Sequence, residues 1–89
     1  MVLIINYAHK SELKDYAPFF EAIKACGEWW HFLDSTWIIN TEHSVEVVAK
    51  HLTQFIDKRT DYLLIARLQR EHQGWLPKEA WDWMNGKLY

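Results

Sequence analysis

At 89 residues the chain has room for one domain and one small core, and folding at this size removes only roughly 60–65% of the unfolded surface from water. A formal net charge of −2 argues against a protein that coats itself in Lys and Arg to bind nucleic acid, and the single cysteine, Cys26, excludes an intramolecular disulfide and a cysteine-only metal site. No run reaches the ~20 apolar residues of a membrane span and Val2–Ile5 is too short for a signal-peptide core, so a soluble, cytoplasmic protein with no membrane partner is expected.

Val2–Ala8 is a β-branched-rich run without helical period and reads as a central strand. Polar His9–Lys14 reads as a loop. Tyr16, Phe19, Phe20, Ile23 and Cys26 then form the apolar stripe of a helix that Pro18 confines to a start nearby and Gly27 stops. Glu28–Leu33 and Thr36–Thr41 read as two strands joined by a tight turn at Asp34-Ser35, which lacks the glycine such turns favour. Ser44 or Thr41 caps a second helix with the stripe Val45, Val48, Leu52, Phe55 and Ile56. Tyr62–Leu68 is a fourth strand. A short helix over about 77–85, with proline at an early position, carries Trp81 and Met84 on one face and must dock because it is too short to be stable alone. The expectation is one α+β domain over 1–89, a ferredoxin-like βαββαβ arrangement with a short C-terminal helix.

The stretch Gly27–Asn40, GEWWHFLDSTWIIN, holds three of the six tryptophans. A two-residue turn at Asp34-Ser35 pairs Leu33 with Thr36, Phe32 with Trp37, His31 with Ile38, Trp30 with Ile39 and Trp29 with Asn40. Alternation then sorts the hairpin into an apolar face of Trp30, Phe32, Trp37 and Ile39, expected under the helices, and a second face of Trp29, His31, Leu33, Thr36, Ile38 and Asn40. The same alternation adds Ile4, Asn6 and Ala8 from the first strand to the second face, and Leu63, Ile65 and Arg67 from the fourth. A ferredoxin-like sheet carries its helices on one side, and this second face is too apolar for water. It is therefore expected to form a homodimer interface centred on Ile4, Trp29, Leu33, Ile38, Leu63 and Ile65.

The polar residues expected on that face are the candidate binding set: Asn6, His31, Asn40 and Arg67, with Trp29 beside them. A histidine, two amides and a guanidinium over an apolar floor have the chemistry to hold a phosphate or a nucleobase edge. Equally, they have the chemistry of a hydrogen-bonded inset that fixes dimer register, and that reading is favoured. His9, His43, His51 and His72 are read as surface histidines, and Cys26, at a helix C-terminus that disfavours a thiolate, as inert. Neither a cofactor motif nor a metal-ligand set is expected.

The motifs INY, WWHFLDSTWII and GWLPKEAWDWMN, spread from about Val2 to Asn85, resemble the SinR-like family of small bacterial and phage proteins. At the level of fold that family is similar to the small ferredoxin-like CRISPR-associated adaptation protein and to VapD-type ribonucleases. The resemblance implies a homodimer that stacks sheet on sheet. Nuclease members of the wider group place a metal-binding aspartate at the end of the first strand, and Ala8 stands at that position here. An alanine cannot ligate a metal, so a divalent-metal endonuclease ranks second. The leading expectation is a non-catalytic dimeric scaffold, adaptor or regulator of a phage, mobile-element or defence system, in contact with nucleic acid. A small nucleotide-binding protein that captures its ligand between Trp29 and Arg67 is the third.

Overall fold

The computed structural model describes all residues from Met1 to Tyr89. Four strands, β1 (Val2–Ala8), β2 (Glu28–Leu33), β3 (Thr36–Asn40) and β4 (Tyr62–Arg67), form one antiparallel sheet in the order β2-β3-β1-β4. Three helices, α1 (Ala17–Lys24), α2 (Val45–Leu52) and α3 (Lys78–Asn85), connect and cover it, and none is long and apolar enough to cross a membrane.

The local signals explain most element ends. Pro18 lies in the first turn of α1, where its missing N–H costs nothing, and the Asp15 carboxylate accepts the Ala17 N–H at 3.0 Å. Ser44 caps α2, its hydroxyl accepting the Val47 N–H at 3.2 Å. Beyond α2 the chain tightens into a 3-10 turn over Thr53–Phe55 rather than extending the helix to Ile56. Gly27 carries φ +152, a conformation that a side chain would strain, and brings the backbone against Asn40 where β2 begins.

Register decides the rest. Between Trp30↔Ile38 and Leu33↔Thr36, β2 supplies His31 and Phe32 where β3 supplies only Trp37, which is a β-bulge. The turn pairing Leu33↔Thr36 agrees with the sequence reading, but beyond the bulge Trp29 faces Ile39 rather than Asn40, and Trp30 faces Ile38 rather than Ile39. No residue other than glycine has a positive φ, so Asp34-Ser35 does not form a primed turn. A turn of the ordinary hand mismatches the twist of the flanking strands, and the extra residue of β2 accommodates the mismatch.

One face of the sheet packs Leu3, Ile5, Tyr7, Trp37 and Ile39 against Phe19, Ile23, Val48 and Leu52 of α1 and α2. Leu63 and Ile65 of β4 join this helix-covered face, because Tyr7 pairs with Leu63 and Ile5 with Ile65. The second face carries Val2, Trp30 and Ile38, and here α3 docks through Ala80 and Met84. The sheet therefore has helices on both sides. The expectation of a second face wholly free of the chain's own helices is corrected by α3, whose apolar positions 80 and 84 needed a surface and found this one.

Candidate interaction surface

On the second face, directly paired residues line up in rows across the sheet. Trp30, Ile38, Ile4 and Ala66 form one row, and Leu33, Thr36, Asn6 and Leu64 the next. α3 sits over the first of these and over Val2. The second row is left without a helix, and the Ala8–Tyr62 pair continues it. Leu33 is 42% exposed, Phe32 48%, Tyr62 69% and Leu64 70%, so an apolar strip reaches both edges of the sheet on its uncovered half. In its middle, Asn6 Nδ2 donates to Thr36 Oγ1 at 2.5 Å and to the Ser35 carbonyl at 3.2 Å. The Asn6 amide is thus tied across the β1–β3 pair, a polar inset with its donors already used.

The candidate binding set does not converge. Asn40 lies four residues along the ladder from Thr36, at roughly 13 Å from Asn6, and donates to Glu28 Oε1 at 3.2 Å. Trp29 and His31, expected on the same face as Asn6, sit on the opposite one. His31 stacks on Trp37 with centroids 4.3 Å apart and places Nδ1 3.0 Å from the Thr36 carbonyl, which makes Nδ1 the donor. Trp29 packs against Trp37 at 5.0 Å, with the Lys24 ammonium over its outer side. Arg67 pairs with Leu3 at the end of β4 and donates to the Tyr89 carbonyl. Of the six expected interface residues, Ile4, Leu33 and Ile38 lie on the second face, with Ile38 already buried beneath α3. Trp29, Leu63 and Ile65 lie on the helix side. The physical reason is one of parity: one extra residue in β2, and a one-residue error in the phase of β4, send every affected side chain through the sheet. Trp30 and Phe32 move the other way. Trp30 is buried under α3, its indole N–H without an acceptor, and Phe32 stands exposed beside it.

A second cluster closes the end of β1 beyond Ala8. The carboxylate of Asp61, buried at the start of β4, accepts four hydrogen bonds: from the Lys10 N–H at 2.8 Å, the Asp57 N–H at 2.7 Å, the Tyr16 hydroxyl at 2.6 Å and the Thr60 hydroxyl at 3.1 Å. Burial pushes its pKa up, but those donors together hold it well below the usual carboxylate range. No acceptor capacity is left facing solvent, so Asp61 does not replace the carboxylate missing at Ala8. Nothing in the local sequence marked this hub, since an aspartate before a strand has no periodicity to give it away. No group of three or more His, Cys, Asp or Glu side chains is placed to hold a metal ion.

His9, read from sequence as a surface histidine, is instead a slice in an aromatic stack. It lies 4.2 Å from the Tyr7 ring and 3.7 Å from the Tyr16 ring, with Phe19 edge-on at 4.6 Å, and its Nε2 is buried without a partner. Burial lowers its pKa, while the charge of Asp61 pulls the other way. The folded state thus favours the neutral ring. That contribution is whole above the unfolded histidine value and is lost as pH falls from there through the lower folded pKa. Thermal midpoints are expected to drop on this account as pH falls below the ordinary histidine value of about 6.5, and His9→Phe, which keeps the stack without the titration, to flatten the slope. An identical slope in His9→Phe would refute the assignment.

His43 and His51 are exposed, as expected, yet both line one groove of about 270 Å³ between α1 and α2, together with Ala22, Ala25, Cys26, Val47 and Val48. The Cys26 thiol donates to the Ala22 carbonyl at 3.3 Å and burial raises its pKa, in line with an inert cysteine. Against this geometry, comparison with family models, with curated proteins and with solved structures returns no match.

Proposed function

We propose that the chain is a non-catalytic scaffold or adaptor that works as a homodimer, with the uncovered half of its second sheet face as the contact. The observation that carries this reading is the helix-free row Leu33–Thr36–Asn6–Leu64, apolar at both ends and flanked by Phe32 and Tyr62. A second copy, presenting the same strip, offers it a self-complementary cover. The tie between Asn6 and Thr36 then sets the register, since a saturated polar pair tolerates burial where a loose one does not. Association through the open part of a sheet also accords with a ferredoxin-like arrangement, which is supported by the element order and by the strand order β2-β3-β1-β4 with α1 and α2 on one side.

A place in a phage, mobile-element or defence system belongs to the same proposal and rests on the resemblance of the hairpin and of GWLPKEAWDWMN to SinR-like proteins. Two observations set the metal-nuclease alternative behind it. Ala8 offers no ligand, and the nearby Asp61 has its acceptors filled. Capture of a nucleotide between Trp29 and Arg67 loses its footing because the two residues lie on β2 and β4, the opposite edges of the sheet. A base-stacking platform is disfavoured by the middle of the open face, where β1 and β3 offer Asn6 and Thr36 rather than aromatics.

The strip is modest. Its four apolar side chains expose a few hundred Å², short of the ~800 Å² that each partner contributes to a standard interface, so a weak, micromolar dimer is expected. Sedimentation velocity over a micromolar concentration series should show it, and Phe32→Glu with Leu33→Glu should shift the distribution toward smaller species while circular dichroism stays unchanged. A wild-type chain that remains monomeric throughout the series, or a dimer indifferent to the two glutamates, would overturn the reading.

A further inference from the structure

The two edges of the sheet are not alike. β2, at one edge, is broken by the bulge between Trp30 and Leu33. β4, at the other, runs from Tyr62 to Arg67 with no bulge, no proline and no charge before its last residue. Bulges, prolines and charges are the devices that keep an edge strand from pairing with another chain, and β4 has none of them along its first five residues.

Which backbone groups of β4 are free follows from the ladder. Tyr7 N–H donates to the Ser35 carbonyl and Thr41 N–H to the Met1 carbonyl, so the odd-numbered residues of β1 bond to the β3 side. Its even-numbered residues bond to β4, in agreement with the Leu68 N–H donating to the Val2 carbonyl at 2.8 Å. Tyr62, Leu64 and Ala66 therefore turn their backbone groups inward to β1. Leu63, Ile65 and Arg67 turn theirs outward, where no strand lies.

We propose that this free edge is a second self-association site, where β4 pairs antiparallel with β4 of another copy into a continuous eight-stranded sheet. It rests on the scaffold reading above and adds to it a contact distinct from the face. A twofold axis at Leu64 satisfies the strand best. Leu63 of each copy then meets Ile65 of the other, and these two pairs exchange four backbone hydrogen bonds, because both residues already point their groups outward. On the second face Leu64 meets Leu64 at the axis and Tyr62 meets Ala66, which continues the exposed apolar strip across the seam and leaves its outer side free for the face contact. In the same register Arg67 falls opposite Asp61 of the other copy, whose carboxylate is already saturated by its own chain, so the pairing adds no ion pair but sets no like charges against one another. Moving the axis to Ile65 would instead set Arg67 against Leu63. Face and edge used together give each copy two separate contacts, so the assembly extends beyond a dimer.

Amide hydrogen exchange read residue by residue across a protein concentration series tests the edge directly. Leu64 and Ala66 amides, bonded to β1, should be protected at every concentration. Leu63 and Ile65 amides should exchange freely when dilute and become protected as concentration rises, and should do so in the Phe32→Glu, Leu33→Glu chain as well. Ile65→Pro removes one outward donor and leaves the β1 ladder whole, so it should abolish the concentration dependence at Leu63; an amide-to-ester substitution at Ile65 does the same with the side chain retained, should the proline disturb folding. Fast exchange at Leu63 and Ile65 at all concentrations overturns the edge contact, while a dimer still sensitive to the Phe32 and Leu33 substitutions leaves the face contact standing. Protection at Leu63 and Ile65 in assemblies indifferent to Phe32 and Leu33 upholds the edge and overturns the face.

Discussion

Asp61→Ala is expected to lower stability by roughly 3–5 kcal/mol, because it strands several buried donors at once rather than deleting a single bond. Two of the four donors are backbone N–H groups, of Lys10 and Asp57, and a third is the Tyr16 hydroxyl that anchors the aromatic stack on His9. With 1 kcal/mol worth about 4–8 °C in a domain of this size, the thermal midpoint should fall by more than about 10 °C. Asp61→Asn keeps one acceptor but turns an amide donor toward other donors, so it should fall between alanine and wild type. The carboxylate also predicts an acid limit. Its folded pKa lies below the unfolded value, so its contribution is complete above about pH 4 and is lost as pH falls further. Calorimetry of the three proteins between neutral and acid pH would check both statements. An Asp61→Ala chain that unfolds at the wild-type temperature would show that solvent replaces the four bonds at no cost.

Gly27→Ala is expected to be of similar severity for a different reason. At φ +152 the backbone is one that side chains rarely adopt, at about 1–3 kcal/mol, and an alanine Cβ would lie 2.1 Å from the Asn40 carbonyl oxygen. That oxygen belongs to the backbone of β3, so relief requires β2 to move away from its pairing at Glu28↔Asn40 and Trp29↔Ile39. Trp29 would lose its contact with Trp37, and tryptophan emission should shift to the red as the midpoint drops. A Gly27→Ala chain with unchanged emission and midpoint would mean that the strand start yields without penalty. Gly74 and Gly86 have open space around their Cβ positions and negative or extended backbone, and alanine there should be tolerated.

These two sites mark where local sequence signals stop being sufficient. Gly27 was legible as a helix stop, yet its tight approach to Asn40 involves a residue thirteen positions away that only strand pairing brings near. Asp61 carried no signal at all, because its four donors come from the loop after β1, the start of α1 and its own turn.

What the chain's sequence determined by itself was the set of elements and their order. Strand-forming runs, the stripes at Phe19–Ile23 and Val48–Leu52, Pro18, the Ser44 cap and the turn at Asp34-Ser35 each act within a few residues, and the elements formed where those signals stand. What only the tertiary structure decided was which face each strand residue occupies. Side chains alternate with a period of two, so the single extra residue between Trp30 and Leu33 was enough to carry Trp29 and His31 to the helix side and Trp30 and Phe32 to the other. The missing glycine in the turn was the local trace of that bulge, although its position emerges only when β2 meets β3. Where α3 lands is decided the same way: its apolar positions are written in the sequence, but the surface that takes Ala80 and Met84 exists only once Val2, Trp30 and Ile38 have been brought together by three separate strands.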